Sequence, residues 1–180
     1  IAVVIWVAPP EPREHQPAAV GQIMGKSLGE VLRHPGLMRL NFGVFVLHAV
    51  QLAMWMAVPA LLVQAGLAKS AHWQVYLPAV LASLVVMGGV LFPMERRGHL
   101  RTAFLISIGL IAAVQVGLWW TASTAETTVP GLWALGGLMF VFFIGFNMLE
   151  ASQPSLVSRL APPHARGAAL GIYNTLQSLG

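Results

Sequence analysis

One carboxylate at the end of a long apolar run is the residue with the clearest chemical potential. Glu150 follows residues 131–149, which carry no charge and are almost all apolar. Such a run is long enough to cross about 30 Å of hydrocarbon as a helix. Ionisable side chains in such segments are costly and commonly functional. Three roles stay open for Glu150: a charge-pair partner that latches two helices, a side chain that snorkels to the headgroups, and a proton-carrying site.

A short charged loop supplies the candidate partners of Glu150. Residues 95–101 read ERRGHLR. Its arginines alone would equally fit a role as topological anchors beside the membrane. An Arg near Glu150 would stabilise the charged carboxylate. We therefore predict that, in a conformation closed to the cytoplasm, a Glu150 carboxylate oxygen lies within about 4 Å of a nitrogen of Arg97 or Arg101, and that the pair can separate in a cytoplasm-open conformation. The predicted conformational charge cluster comprises Glu95, Arg96, Arg97, Arg101 and Glu150.

Polar and aromatic residues at helical spacing indicate three faces that would wall a cavity. His48, Gln51 and Trp55 follow one another by three and four residues and therefore share a helix face. Interhelical hydrogen bonds would explain such residues as well as a ligand site does. An aromatic and amide-lined cavity suits large apolar or cationic solutes. The substrate-cavity candidates are His48, Gln51, Trp55, Phe143, Phe146, Asn147, Tyr173, Asn174 and Gln177.

Small residues near the end of the chain predict close helix packing. Gly167 and Gly171 have the spacing that lets two helix backbones approach each other, and Gly180 continues the stripe.

The composition is that of a membrane protein. Of 180 residues, 57% are hydrophobic and 9% are charged, where soluble domains average about 25% charged. The ten basic residues are too sparse for a nucleic-acid surface. The chain has neither Cys nor Asp, and its six His lack the spacing of metal ligands. We therefore expect no enzyme, no metal, no cofactor and no nucleic-acid partner.

The elements that must position these residues are apolar helices joined by polar loops. Residues 9–38 predict a linker with a short amphipathic surface helix whose apolar face comprises Met24, Leu28, Val31 and Leu32. Ser27 and Glu30 have capping-box spacing, and Pro35-Gly36 ends the helix. A disordered linker is the alternative. Residues 1–8 read as the end of another span, and both chain ends look cut, so we expect a piece of a longer protein. The predicted spans are about 39–63, 74–94, 102–121, 131–158 and 167–180, the last incomplete.

The basic residues predict the orientation of these spans. Nine of the ten fall within residues 9–39, 95–101 and 159–166, counting Arg39 at the start of the first span, and only Lys69 lies in the opposite set, 64–73 and 123–130. Because cytoplasmic loops carry the excess of Lys and Arg, we predict that loops 9–38, 95–101 and 159–166 are cytoplasmic.

Three motifs resemble those of the major facilitator superfamily. The ERRGHLR loop resembles its cytoplasmic signature G-x-x-x-D-R-x-G-R, with Glu95, Arg96 and Gly98 at matching positions. His99 and Leu91 replace a basic residue and the leading glycine, as in the weaker second copy of that signature. Residues 147–156 and 166–180 resemble the tenth span and the start of the eleventh span in bacterial efflux members of the YajR type.

The resemblance implies an all-α membrane protein: the C-terminal six-helix bundle of a 12-span fold, truncated from the end of span six to the start of span eleven. It implies proton-coupled efflux of amphipathic or drug-like solutes by alternating access across a bacterial inner membrane. The expected partners are the lipid bilayer, a small-molecule substrate and the missing N-terminal six-helix bundle, with a proton gradient as the driving force. An importer of a small metabolite and a non-transporting membrane scaffold subunit are the alternatives.

Overall fold

The computed structural model describes residues 17–125, 127 and 129–180, with side chains described from residue 25 onward. The predicted span end at residues 1–8, the first part of the linker at 9–16 and the side chain of Met24 lie outside the described residues.

Six helices make up most of the described chain. Single 3₁₀ turns at Lys69–Ala71 and Pro163–Ala165 lie in two of the connections, and the described residues include no β-strand. The predicted all-α fold is therefore confirmed. The helices are α1 Pro17–Arg33, α2 Pro35–Gln64, α3 Trp73–Arg96, α4 Leu100–Thr124, α5 Leu132–Leu160 and α6 Arg166–Leu179.

Four of these helices are long and apolar enough to cross a membrane: α2, α3 with its preceding 3₁₀ turn, α4 and α5. At about 1.5 Å of rise per residue, even the 25-residue α4 exceeds the thickness of the hydrocarbon core. The apolar runs of the sequence therefore predict where these helices lie, with differences of a few residues at their ends.

The start of α2 differs from the prediction. Pro35-Gly36 follows the end of the linker helix at Arg33, as predicted, but it also begins α2, four residues before the predicted start at Arg39. Proline lacks an N–H and fits the first helical turn, where that N–H has no intrahelical acceptor. The His34 side chain caps this turn, because its Nδ1 accepts the Leu37 N–H at 3.3 Å.

The linker helix α1 is longer than predicted and uses another face. Ser27 and Glu30 lie inside the helix Pro17–Arg33, so they do not form an N-terminal capping box. Val31 and Ser27 are buried, whereas Leu28 and Leu32 are about half exposed. The buried side packs against α2, α6 and the 3₁₀ turn before α6. The helix therefore docks onto the bundle through Ser27 and Val31, not through an unbroken leucine face.

Helix α5 occupies the centre of the bundle. In its most apolar stretch 44% of residues are buried, against 17–28% in the other three candidate spans, and it packs against α2, α3, α4 and α6. Its closest approach is to α4, where a Cβ on Gly145 would lie 2.9 Å from the Ser107 carbonyl oxygen. The helix also continues through Pro154 to Leu160. Membrane helices tolerate an internal proline in this way.

Candidate functional site

His48, Glu150 and Gln177 form a polar cluster where α2, α5 and α6 meet. The Gln177 amide nitrogen donates to Glu150 Oε1 at 2.6 Å and lies 3.2 Å from His48 Nε2. The second carboxylate oxygen, Oε2, lies 3.6 Å from the same His48 nitrogen. The cluster thus joins residues that lie up to 129 positions apart in the sequence, within the membrane-spanning bundle.

The surroundings of His48 fix which ring nitrogen carries a hydrogen. His48 Nδ1 lies 3.0 Å from the Val44 carbonyl oxygen, which can only accept, so Nδ1 is the donor. In the neutral ring Nε2 is then an acceptor, and the Gln177 NH₂ group donates to both His48 and Glu150. The Phe146 ring packs edge-on against the imidazole, with ring centroids 5.7 Å apart. The imidazole is therefore held from two sides.

One oxygen of Glu150 lacks a hydrogen bond. Oε2 is buried and has no hydrogen-bond partner among the described residues, although the Glu150 side chain as a whole is 34% exposed. Its nearest basic atom is His48 Nε2, on a side chain that is 15% exposed. An unpartnered buried oxygen is costly unless a donor arrives. At 3.6 Å the gap to His48 Nε2 is longer than a hydrogen bond, so the two atoms must move several tenths of an ångström closer for one proton to join them.

The predicted contact between Glu150 and an arginine is not formed in this conformation. Within the described chain no Arg nitrogen lies within 4 Å of the Glu150 carboxylate. The prediction placed Glu150 level with the 95–101 loop although its span ran to residue 158, and in the structure α5 extends to Leu160, ten residues or about 15 Å along its axis beyond Glu150. Glu150 therefore lies well inside the bundle and away from the 95–101 loop.

The charged loop makes a different ion pair. Glu95 Oε1 accepts a hydrogen bond from Arg159 Nη2 at 2.9 Å, and both side chains are partly exposed. Arg96, Arg97 and Arg101 form no ion pair with a described carboxylate. Arg159 is the partner that the prediction missed. The sequence offered the signal, because Arg159 directly follows the predicted span 131–158 on the same side as the 95–101 loop.

An aromatic surface lies two helical turns from the polar cluster along α2. Trp55 is 44% exposed and packs against Tyr76, with centroids 5.0 Å apart, and against Phe143 at 6.5 Å. Trp55 and His48 are seven residues apart, so they share one face of α2. The polar cluster and this aromatic surface therefore lie along the same side of the helix.

Two predicted cavity residues are used in contacts between helices. Asn147 donates to Ser83 Oγ at 2.9 Å and so joins α5 to α3. Tyr173 is 1% exposed and its hydroxyl donates to Gln153 Oε1 at 3.1 Å, which joins α6 to α5. These contacts follow the alternative interpretation of such residues as interhelical hydrogen bonds, and the sequence analysis missed both partners. Gln51 and Asn174 make no side-chain hydrogen bond to a described residue.

Of the three glycines predicted to pack closely against another helix, one does so within the described chain. Gly167 and Gly171 are exposed, and a Cβ there would meet no described atom within 4 Å, so the predicted close packing is absent at both. They lie on the side of α6 that faces away from α2 and α5. Gly180 does lie against another helix, because a Cβ there would overlap the Phe45 carbonyl group of α2. The close contact at Gly145 was not predicted.

Comparisons with known proteins agree with the motifs and the fold. The sequence profile of the Major Facilitator Superfamily matches residues 1–180. The Inner membrane transport protein YajR of Escherichia coli (strain K12) is 33% identical over 180 residues, which is all of this chain and 38% of that protein. The Uncharacterized transporter BU466 of Buchnera aphidicola is 30% identical over 142 residues, 79% of this chain and 35% of that protein. No solved structure matches.

These matches confirm the resemblance drawn from the motifs, including that to the YajR type. The chain spans 38% and 35% of the length of these two relatives. The profile match covers the chain from its first residue to its last, and the full-length match to YajR exceeds 30% identity. This chain belongs to the major facilitator superfamily.

Proposed function

We propose that the protein is a proton-coupled secondary transporter, and not an enzyme, that exports amphipathic or drug-like solutes by alternating access across a bacterial inner membrane. The observation that carries the proposal is the buried, unpartnered Oε2 of Glu150, 3.6 Å from His48 Nε2. Membership of the superfamily and the names of two relatives, an inner membrane transport protein and a transporter, support the same activity.

The proton site follows from the chemistry of the His48–Glu150 pair. Imidazole changes charge near neutral pH, and carboxylates with histidines form proton relays within membrane proteins. One proton placed between Nε2 and Oε2 would give the unpartnered oxygen its donor. The pair can therefore hold a proton in one state of the transport cycle and release it in another.

The solute class follows from the surface beside that pair. Trp55 is 44% exposed and offers an aromatic face, with Tyr76 and the buried Phe143 packed behind it, and Glu150 offers a negative charge about two turns away. Aromatic faces attract apolar groups and cations. An amphipathic cation would contact both features, whereas a sugar or phosphate would need more hydrogen-bonding or basic groups.

Gradient-driven transport by the full-length protein in liposomes tests the proposal. Tetraphenylphosphonium and ethidium serve as probes, and a pH gradient is the only driving force. Glu150→Gln and His48→Gln each remove one side of the proton site, and we expect each to lower gradient-driven transport at least about tenfold. Solute exchange without a gradient should persist, since it needs no net proton movement.

The controls are the same substitutions at exposed sites. Glu30→Gln and His99→Gln change exposed residues outside the cluster and should leave gradient-driven transport within about twofold of the parent protein. Transport that remains fully coupled to the gradient in both Glu150→Gln and His48→Gln would overturn the proposed proton site.

A further inference from the structure

We propose that Gln177 is a positioning residue that ties the proton occupancy of the His48–Glu150 pair to the attachment of α6 to α2. The inference rests on the proposed proton site and names the element that responds to it. Gln177 is the residue that touches both members of the pair, at 2.6 Å from Glu150 Oε1 and 3.2 Å from His48 Nε2.

Without a proton on the pair, the amide bridges three helices. Its two N–H groups have two acceptors, the carboxylate oxygen on α5 and the ring nitrogen on α2. Glu150 Oε2 has no hydrogen bond in this arrangement. The observed geometry is therefore that of the unprotonated pair, with α6 bonded to both neighbours.

A proton arriving from the aqueous phase changes this arrangement at one atom. It forms an N–H bond on the lone pair of His48 Nε2, and the new N–H donates to Glu150 Oε2. Nε2 then has no lone pair for the Gln177 amide, so two donors would face each other. The bond from Gln177 to Glu150 Oε1 can persist, while the bond between α6 and α2 is lost and one between α2 and α5 replaces it. Loss of the proton reverses each step.

Side-chain and backbone contacts hold the end of α6 against α2. Gly180 lies three residues after Gln177, and a Cβ there would overlap the Phe45 carbonyl group of α2. Withdrawal of the amide from His48 removes the side-chain bond between the two helices and leaves this close backbone approach. A single proton would thus weaken the attachment of one helix of the bundle to another, the kind of change on which alternating access depends.

One other ionisable group lies near the pair. On α6 the buried Tyr173 hydroxyl is bonded to Gln153 and is close enough to interact electrostatically with Glu150. A tyrosine hydroxyl is neutral near pH 7. Helices α3 and α4 carry theirs near the helix ends, at Tyr76, Glu95, Arg96 and Arg101. Changes at Gln177 should therefore act on the pair itself.

The pH profile of gradient-driven tetraphenylphosphonium transport by the full-length protein tests the inference. Gln177→Leu removes the donor to the carboxylate and leaves Nε2 unoccupied, which favours a proton on the pair. We expect the midpoint of the profile to move to higher pH by about one unit. Gln177→Glu, which is nearly isosteric and places a second carboxylate beside Glu150, should move it further in the same direction. Gradient-free exchange should persist in both.

The matched control is Gln115→Leu, which removes an amide from α4, outside the cluster. It should keep the midpoint of the parent protein. If Gln177→Leu does not fold, the Gln177→Glu variant decides the question alone. Parent midpoints in the Gln177 variants, together with lost coupling in Glu150→Gln, would overturn the role of Gln177 and leave the proton site standing. Intact coupling in Glu150→Gln and His48→Gln would instead remove the proton site.

Discussion

The polar side chains of this bundle differ in whether they have a hydrogen-bond partner among the described residues. The Tyr173 hydroxyl donates to Gln153 at 3.1 Å, whereas the buried Tyr76 hydroxyl has no partner among the described residues. Both tyrosines lie on membrane-spanning or adjacent helices and differ from Phe by one oxygen. Substitution by Phe therefore separates the contribution of the hydrogen bond from that of the ring.

Tyr173→Phe should destabilise the protein by about 1 kcal/mol, because the buried Gln153 oxygen loses its donor. Tyr76→Phe should leave stability unchanged or raise it slightly, because it removes a buried group that has no partner. Unfolding by SDS in mixed micelles, followed by circular dichroism, measures both. Equal losses of stability in the two variants would contradict the hydrogen-bond account.

For individual residues, the sequence indicates which side chains are candidates for the functional site better than it indicates which residues those side chains contact. His48, Glu150 and Gln177 each stand out because a polar group interrupts an apolar pattern. Their meeting depends on the rotation and depth of three separate helices, which no local spacing encodes. In this conformation Glu150 contacts Gln177 and not Arg97 or Arg101, because it lies ten residues before the end of α5 and deeper than the charged loop.

Helices were more predictable than their contacts. Long apolar runs determine α2 to α5 because each must satisfy its backbone hydrogen bonds internally in lipid. Helix ends were less certain where proline is involved: Pro35 begins a helix and Pro154 lies inside one. The GxxxG spacing of Gly167 and Gly171 pointed to a face that makes no close contact within the described chain, whereas Gly145, in no such motif, lies against α4.

Gly145→Ala should destabilise the packing of α5 on α4 by about 1–3 kcal/mol, because the new methyl group would meet the Ser107 carbonyl and the Ile111 side chain. Gly137→Ala is the control on the same helix, where a Cβ would meet no described atom within 4 Å. That change should be neutral or stabilising by up to about 1 kcal/mol, since alanine favours the helix. Thermal unfolding in detergent compares them, and a Gly145→Ala protein as stable as Gly137→Ala would refute the close contact.

For the molecule as a whole, charge asymmetry carries the prediction of orientation. Nine of ten basic residues lie within residues 9–39, 95–101 and 159–166, and Lys69 lies in the opposite set of loops. Short loops with more Lys and Arg remain on the cytoplasmic side during insertion. This rule acts on the entire chain and needs no knowledge of which side chains touch, so the sequence supports a prediction of orientation although it does not predict the polar cluster.

Single cysteines can test this orientation, since the chain has no natural cysteine. His99→Cys and Ser70→Cys replace exposed residues in loops on opposite sides. A membrane-impermeant maleimide should label Ser70→Cys in right-side-out vesicles and His99→Cys only in inside-out vesicles. Val85→Cys, near the middle of α3 and 76% exposed, should resist labelling in both because it faces lipid. The reverse pattern at the two loops would overturn the predicted orientation.

The central position of α5 has a consequence for biogenesis. During synthesis, α2, α3 and α4 enter the bilayer before α5 has been made. Yet α5 packs against all three of them and completes the hydrophobic core that they share. The three early helices would therefore wait side by side in lipid with few lasting contacts. Assembly of the bundle would begin when α5 is inserted and packs against the three earlier helices. The order of synthesis therefore makes the insertion of α5 the step at which these helices form one packed bundle.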